Sequence, residues 1–319
     1  MKGTKERVLQ LLKHSNTILS GETIAQQLHV SRTAIWKAIR ELERIGYKIE
    51  HLANGYRFIQ SNLLEAEEIS FEHLPVNQIF ITKETQSTMK LAKIAAMDQH
   101  ATPALFLAET QSGGHGRFAR PFFSPPGQIY MTLLLKANQS FAELPQYTIL
   151  AAVAVALAID EVTGKNCSIK WVNDIFLDQK KVCGILSEAT SDFESGQISY
   201  VTIGIGLNFC LKQTDFPIEL QEKVTALFSD TEPTITRNEL IQKIWQNFFE
   251  LIDGLPDQSY LEYYRRKSFV LGKVVRFTQQ GQDYTGKAVA ISAQGELIVE
   301  TADGQKILSS GEISLSQIG

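Results

Sequence analysis

The 319-residue chain has 44% apolar residues, 21% charged residues and a formal net charge of −4, an ordinary globular composition that argues against a fibre or a disordered protein. At about 100–200 residues per domain, the length calls for two or three domains. Ten Lys and Arg against five Glu make residues 1–60 net +5, and the other 21 basic and 30 acidic residues make the remainder −9. A basic head on an acidic body implies that only the head meets a polyanion.

Cys167, Cys183 and Cys210 are odd in number and widely spaced, so they form neither a disulfide framework nor a CxxC metal pattern, and each reads as a small buried apolar residue. The six histidines share no metal-ligand spacing. Residues 1–7 lack the apolar centre of a secretion signal, and the longest apolar run, Ile149 to Ile159, is short of the about 18 residues that span a bilayer. The expectation is a soluble, cytoplasmic chain with no membrane partner.

Thr4 to His14 carries Val8, Leu11 and Leu12 at helical spacing, and Ser20 caps a second helix running to Leu28. Ser31 caps a third, in which Ile35, Ile39, Leu42 and Ile45 share a face and Gly46 stands at the C-cap position. Two helices across a short turn, the second basic on its outer face, have the geometry of a helix-turn-helix. Tyr47–Leu52 and Tyr56–Ile59 flank Ala53-Asn54-Gly55, a hairpin signal that makes the winged form. On this reading Arg32, Thr33, Trp36 and Lys37 face the major groove, and Arg40, Arg44 and Arg57 meet phosphates. Trp36, beside Ile35, is equally placed for the core, and a plain three-helix packing module is the alternative for the whole segment.

Residues 61–78 are polar, with a short amphipathic piece from Leu64 to Leu74, and read as a linker. A strand over 79–82 leads through Thr85-Gln86-Ser87-Thr88 into a helix over 89–97, which Ser87 or Thr88 is suited to cap. Strands over 104–108 and 129–135 then flank Glu109-Thr110-Gln111-Ser112-Gly113-Gly114-His115-Gly116-Arg117-Phe118-Ala119-Arg120. Glycines let backbone N–H groups approach an anion, and arginine grips phosphate or carboxylate oxygens. A solvated turn is the other reading of this loop.

A helix over 146–162 is apolar on most sides, as one buried against a sheet would be. Ser168 to Leu177 runs as a strand into the polar cluster Lys170-Trp171-Val172-Asn173-Asp174, turns at Asp178-Gln179-Lys180 and returns over Lys181 to Glu188. A third strand, Tyr200 to Leu207, has Gly204 and Gly206 at alternate positions before Asn208. They mark a surface that a ligand lies against or a bend in a barrel. Helices over 237–252 and 258–267 precede short strands with turns at Gln280-Gly281, Gln294-Gly295 and Asp303-Gly304, a small β-barrel.

Three of these blocks, in order, resemble the biotin protein ligase family. The loop Gly114-His115-Gly116-Arg117-Phe118-Ala119-Arg120 is similar to its Gly-Arg-Gly-Arg-x-Gly-Arg, with His115 and Ala119 departing. Lys170-Trp171-Val172-Asn173-Asp174 with Lys181-Val182-Cys183-Gly184-Ile185-Leu186-Ser187-Glu188 is the second block, and Gly204-Ile205-Gly206-Leu207-Asn208 the third. With both flanking segments, the resemblance is to bifunctional biotin protein ligases that also repress a biotin operon. The C-terminal motif departs at Ser316, where the family has arginine.

The resemblance implies an α+β protein with a winged helix-turn-helix over 1–60, a linker over 61–78, and a class II synthetase-like mixed sheet with helices over 79–268. An SH3-like barrel over 269–319 completes it. It implies ATP-dependent formation of biotinyl-5′-adenylate, which is also the corepressor, and transfer of biotin to a lysine of a biotin carboxyl carrier protein or carboxylase. Ser87, Thr88, Met89, Gln111, Gly114, His115, Gly116, Arg117, Lys181, Gly204 and Gly206 would meet biotin. Arg117, Arg120, Lys170, Asn173, Asp174, Lys181 and Asn208 would meet ATP or the adenylate, with Lys181 and Arg117 catalytic. Lys170, Asn173 and Asp174 either fix a strand end or bind Mg²⁺ and adenylate, with Asp174 the candidate ligand. His115 stands where the family has an arginine, and Ala119 is tolerable only at negative φ. Operator DNA and a second copy of the chain are the implied partners. A biotin-sensing repressor with impaired catalysis and a lipoate-type acyl ligase are the alternatives.

Overall fold

The computed structural model describes residues 3–15, 17–59, 61–139, 144–191, 198–254, 257, 259–309, 311 and 313–315, and divides into two compact units, Met1–Leu63 and Leu64–Gly319. In the first unit, helices α1 (Thr4–His14), α2 (Gly21–Leu28) and α3 (Arg32–Ile45) enclose Val8, Leu12, Ile24, Ile35, Ile39 and Leu42. Ser20 accepts from the Thr23 amide and Ser31 from the Ala34 amide, each filling an orphan donor at a helix start. Gly46 ends α3 at φ 119°, where a side chain would be strained. Ile45, expected on the buried stripe, is the last residue of α3 and is 44% exposed.

Strands β1 (Ile49–Leu52) and β2 (Gly55–Phe58) form the expected hairpin. Leu19, between α1 and α2, exchanges N–H···O bonds with Tyr56 at 3.0 and 2.8 Å, so the wing has a third pairing segment. Gly55 is required at that crossing, since a Cβ there would overlap the Leu19 carbonyl.

The second unit is built on a seven-stranded sheet, β3-β4-β5-β9-β8-β7-β6. Its strands are β3 (Ile79–Thr85), β4 (Ala104–Gln111), β5 (Ile129–Gln139), β6 (Ser168–Lys170), β7 (Asp174–Leu177), β8 (Lys180–Ser191) and β9 (Ile198–Leu207). Only the β3–β4 pair is parallel; helix α5 (Thr88–Met97) forms its crossover. Helix α6 (Leu144–Thr163) packs on β8 and is covered by α7 (Arg237–Asp253) and α8 (Ser259–Lys267). Buried on most sides, it needs no polar face. Its Pro145–Thr163 portion is long and apolar enough to cross a membrane, but Ala151, Val153, Val155 and Ile159 within it are completely buried in this core.

Residues 61–78 do not behave as a free linker along their whole length. Ile69, in α4 (Ala66–Ile69), and Leu74 are completely buried in the second unit. Asn238 donates to Glu68 at 2.6 Å, and Gln242 donates to the Glu68 and Ser70 carbonyls. The amphipathic piece therefore belongs to the sheet domain from Leu64 onward.

The C-terminal strands β10 (Val274–Gln279), β11 (Gln282–Ile291), β12 (Leu297–Thr301), β13 (Gly304–Leu308) and β14 (Ile313–Leu315) form an antiparallel sheet in the order β13-β12-β11-β10-β14, consistent with the SH3-like expectation. It shares one core with the larger sheet, and the Trp171 indole donates to the Gly295 carbonyl at 3.0 Å. Ser316 lies outside the described residues. Cys167 and Cys183 are buried as expected, Cys210 is only half-buried, and burial pushes the Cys167 thiol up to about 12.

Asp160 on α6 receives Lys267, the Tyr263 hydroxyl at 3.0 Å and the Cys167 amide at 3.3 Å, tying α8 to the core. Burial alone would raise its carboxyl, but the bonds from Lys267 and Tyr263 outweigh it and hold the pKa below the ordinary 3.8. The folded state then binds this proton more weakly than the unfolded chain, so the stabilisation is complete above pH 3.8 and is lost as pH falls through the lowered value. Asp160→Asn is expected to lower stability at pH 7 and to flatten the fall below pH 3.8 in urea titrations; an unaltered acid limb would contradict this.

Candidate functional site

One patch of the seven-stranded sheet carries three glycines on one face. Gly184 on β8 stands opposite Gly206 on β9, and Gly204 lies two residues along the same strand. A cleft of about 550 Å³ opens over this bare patch. A Cβ on Gly204 would come within 2.6 Å of the Met89 sulfur, and one on Gly206 within 2.7 Å of the Phe122 ring. The alternate glycines thus let two large side chains lie directly on the backbone, which explains them without a barrel bend. Along β9 the order is Met89 over Gly204, Phe122 over Gly206, then Asn208, so the cleft has a direction.

At the Gly204 end, the Gln111 side-chain oxygen accepts from the Thr88 amide at 2.9 Å and its hydroxyl at 3.3 Å. Gln111, paired with Thr85 on the neighbouring strand, thereby caps α5, a role expected of Ser87 or Thr88. Thr132 donates to the Thr88 hydroxyl at 2.8 Å. Ser87 is the N-cap residue without a side-chain cap bond and lines the cleft at 3% exposure. Its hydroxyl has no hydrogen-bond partner among the described residues.

The glycine loop folds back on itself through Gly116 N–H to Arg120 O and Phe122 N–H to Gly114 O, both 2.9 Å. His115, Gly116, Arg117 and Arg120 line the cleft, whereas Gly114 does not. A Cβ on Gly114 would press against the Gln111 amide and Ser124 hydroxyl at 2.8 Å, so its glycine serves packing within the loop. Exposed His115 shares a hydrogen bond with the Gly113 carbonyl at 3.2 Å. Ala119 fails the expected condition: it stands at φ 55° and Phe118 at 56°, the left-handed region that costs a Cβ-bearing residue about 1–2 kcal/mol. Arg117 donates to the Gly311 carbonyl at 2.9 Å, joining the loop to the C-terminal sheet.

Lys181 sits on the opposite wall, 2.6 Å from Asp174. Strict alternation would turn Lys181 and Gly184 to opposite faces, but a register shift between Ile175 and Phe176 places Lys181 opposite Phe176. The bulge brings the ammonium over Gly184, where an added Cβ would meet it at 3.0 Å. Lys170 and Asn208 also line the cleft. Asn173 lines it as well, although its amide is spent on the Ile185 carbonyl at 2.5 Å, fixing the strand end. Among the described residues the cleft lining thus carries Arg117, Arg120, Lys170, Lys181 and Lys223 against Asp174, five cations to one anion.

Residues 81–208 match the family model described as biotin/lipoate A/B protein ligase, 4–57 match an HTH domain and 270–316 the biotin protein ligase C-terminal domain. The bifunctional ligase/repressor BirA of Bacillus subtilis strain 168 is 33% identical over 314 residues, 94% of this chain and 94% of that protein. The chain belongs to the bifunctional ligase/repressor family. The BirA of Escherichia coli K12 is 24% identical over 93% of this chain and 92% of its own. The biotin protein ligase of Aquifex aeolicus solved with biotin and ATP has a TM-score of 0.63 at 27% identity, covering 75% of this chain and 99% of that one.

On the helix-turn-helix of this ligase/repressor, Arg32, Thr33, Trp36, Lys37, Arg40 and Arg44 are all exposed on the side of α3 opposite its core. Trp36 is 50% exposed, which settles its ambiguity against the core, and the Arg40 guanidinium lies 5.5 Å from its ring centroid. Arg57 is engaged by Glu50 at 2.8 and 2.5 Å. Arg32, Lys37 and Arg44 have no ion pair among the described residues.

Two parts of the site carried no signal in the sequence. Arg237, at 3% exposure, grips Glu109 with two bonds of 2.8 and 2.9 Å and donates to the Gln128 carbonyl at 2.9 Å. This clamp pins both strands that carry the glycine loop, and its partners are 128 residues apart. Beside it, burial pushes the Tyr130 hydroxyl far above the usual phenol range, and it donates to the Pro125 carbonyl at 2.7 Å. The other part is the wall formed by Phe216, Leu220, Lys223 and Val224.

The family's reaction implies Mg²⁺. No group of three metal-ligating side chains occurs among the described residues, and the cleft offers only Asp174, already paired with Lys181. One carboxylate fits an ion carried in mainly by substrate phosphates, and does not make a protein cage. Arg237→Leu should lower the unfolding free energy by about 3 kcal/mol, by stranding Glu109 and the Gln128 carbonyl. Unchanged urea unfolding would show that the clamp contributes nothing.

Proposed function

We propose that the chain joins biotin to a lysine of a biotin carboxyl carrier protein at the expense of ATP, and represses transcription through its winged helix in response to the adenylate. The observation that carries this is the meeting, in one cleft, of the Lys181 amine and the arginine-bearing loop 115–120. The relatives are named ligase/repressors or biotin protein ligases, and the matches at both flanks favour biotin over lipoate.

The biotin carboxylate oxygen attacks the α-phosphorus of ATP, the bond to the β-phosphate oxygen breaks and pyrophosphate leaves. The carrier lysine amine then attacks the carbonyl of the mixed anhydride, releasing AMP and a proton. The barrier of the first step is repulsion between anions, so fixed positive charge and alignment suffice and no protein nucleophile is required. Lys181 bridges carboxylate and α-phosphate, with Asp174 fixing its direction. Arg117 and Arg120 hold phosphates, assisted by Lys170, while Gly116 keeps the loop turn that carries them, and Asn208 holds the adenylate. Ser87 and Thr88 satisfy the ureido group, Gln111 orders Thr88, and Met89 over Gly204 forms the apolar floor beneath the ring. Asp174 is the lining carboxylate that would help to hold Mg²⁺, which would supply charge neutralisation to the phosphates.

The exposed basic face of α3 supports operator binding, and a homodimer matches the two-fold symmetry such operators carry. Three free thiols and a DNA partner support a cytoplasmic setting.

Biotin-dependent exchange between pyrophosphate and ATP tests the ligase; no exchange in the unmodified protein ends the claim. Lys181→Ala should cut that exchange by about 100-fold or more while the protein stays folded. Arg32→Ala should weaken operator binding by about tenfold and leave exchange alone; loss of both activities would mean that the head and the ligase are not independent.

A further inference from the structure

Phe118, in the glycine loop, is 69% exposed, so burial does not account for an aromatic side chain there. It stands at φ 56° and ψ 32°, with Ala119 after it at φ 55°. That left-handed backbone is costly for any residue with a Cβ, and a ring left in water gains little to offset the cost. The neighbours of the ring are two cations. The guanidinium carbon of Arg117 lies 5.5 Å from its centroid and that of Arg120 5.9 Å, and all three residues line the cleft.

The turn itself creates this grouping. The Arg120 amide donates to the Arg117 carbonyl at 3.3 Å and the Gly116 amide to the Arg120 carbonyl at 2.9 Å, which draws residues 117 and 120 together around 118. Two guanidiniums brought so close repel each other, and each long side chain loses rotamer freedom when it is fixed. An aromatic face offers both a region of negative potential and opposes these costs. Ring contact engages the face of a guanidinium and leaves the N–H groups in its plane for oxygen acceptors. Arg117 shows the combination, since it keeps its ring contact while donating to the Gly311 carbonyl at 2.9 Å.

We propose that Phe118 is a positioning residue, its ring holding Arg117 and Arg120 in place for the nucleotide phosphates before these arrive. The inference rests on the ligase reading, which assigns both arginines to phosphate. Cations already held in place lose less entropy when they close on an anion. The gain is shared by the ground and transition states, so it falls on KM and not on kcat.

Phe118→Leu removes the aromatic face and stays unbranched at Cβ, so the backbone cost is kept; Phe118→Tyr retains the ring. In pyrophosphate exchange by the full chain at saturating biotin, Phe118→Leu should raise the KM for ATP about fivefold with kcat and melting temperature little changed, and Phe118→Tyr should match the unmodified protein. Biotin titrated alone should lose less affinity than ATP. An unchanged KM for ATP in Phe118→Leu, or an equal rise in Phe118→Tyr, would overturn the proposal. So would a rise confined to the KM for the carrier protein, which would make the ring a docking contact. No exchange by the unmodified protein would end the ligase reading alone; calorimetric titration of ATP into the same variants would then decide the role of the ring, with equal affinities or no binding counting against it.

Discussion

A lysine ammonium held 2.6 Å from a single carboxylate, above sheet backbone bared at Gly184, Gly204 and Gly206, sets the terms for the rest of the structure. Such a cation is useful to two anionic reactants only if it is fixed, partly shielded from water and accompanied by further positive charge. Asp174 supplies the fixing, and the bulge in β8 supplies the direction. Arg117, Arg120, Lys170 and Lys223 supply the accompanying charge.

The walls are secured by polar contacts placed outside the reacting zone. The Glu109–Arg237 clamp holds the strands that carry the glycine loop, Gln111 fixes the start of α5, and Arg117 reaches the C-terminal sheet through Gly311. Each joins elements far apart in sequence, so the geometry of the cleft depends on the whole second unit being folded. That dependence gives the C-terminal sheet a physical stake in the site, since the Gly311 carbonyl holds a guanidinium of the proposed phosphate-binding loop.

The glycine loop shows how a sequence departure is accommodated. With Ala119 and Phe118 both in the left-handed region, the loop carries a local cost of about 1–2 kcal/mol at each position, which the surrounding bonds from Gly116 to Arg120 and Phe122 to Gly114 oppose. His115 keeps its ring on the Gly113 carbonyl. The loop therefore keeps its shape through its own backbone hydrogen bonds, even where its residues depart from the family pattern.

The helix-turn-helix with its wing, the three sheet blocks and the C-terminal strands are legible in the residues alone, because caps, an Asn-Gly turn and hydrophobic periods are local. The residues also nominated Lys181, Arg117 and Ser87 for one site. Only the tertiary structure decided that Gly114 packs inside its own loop, that Trp36 faces outward and that residues from Leu64 belong to the sheet domain. The same holds for Arg237 and the bulge that turns Lys181 over Gly184. The physical reason is common to all of these: each depends on which distant backbone or side chain fills the space alongside, and neither periodicity nor propensity encodes a neighbour across 128 residues of chain.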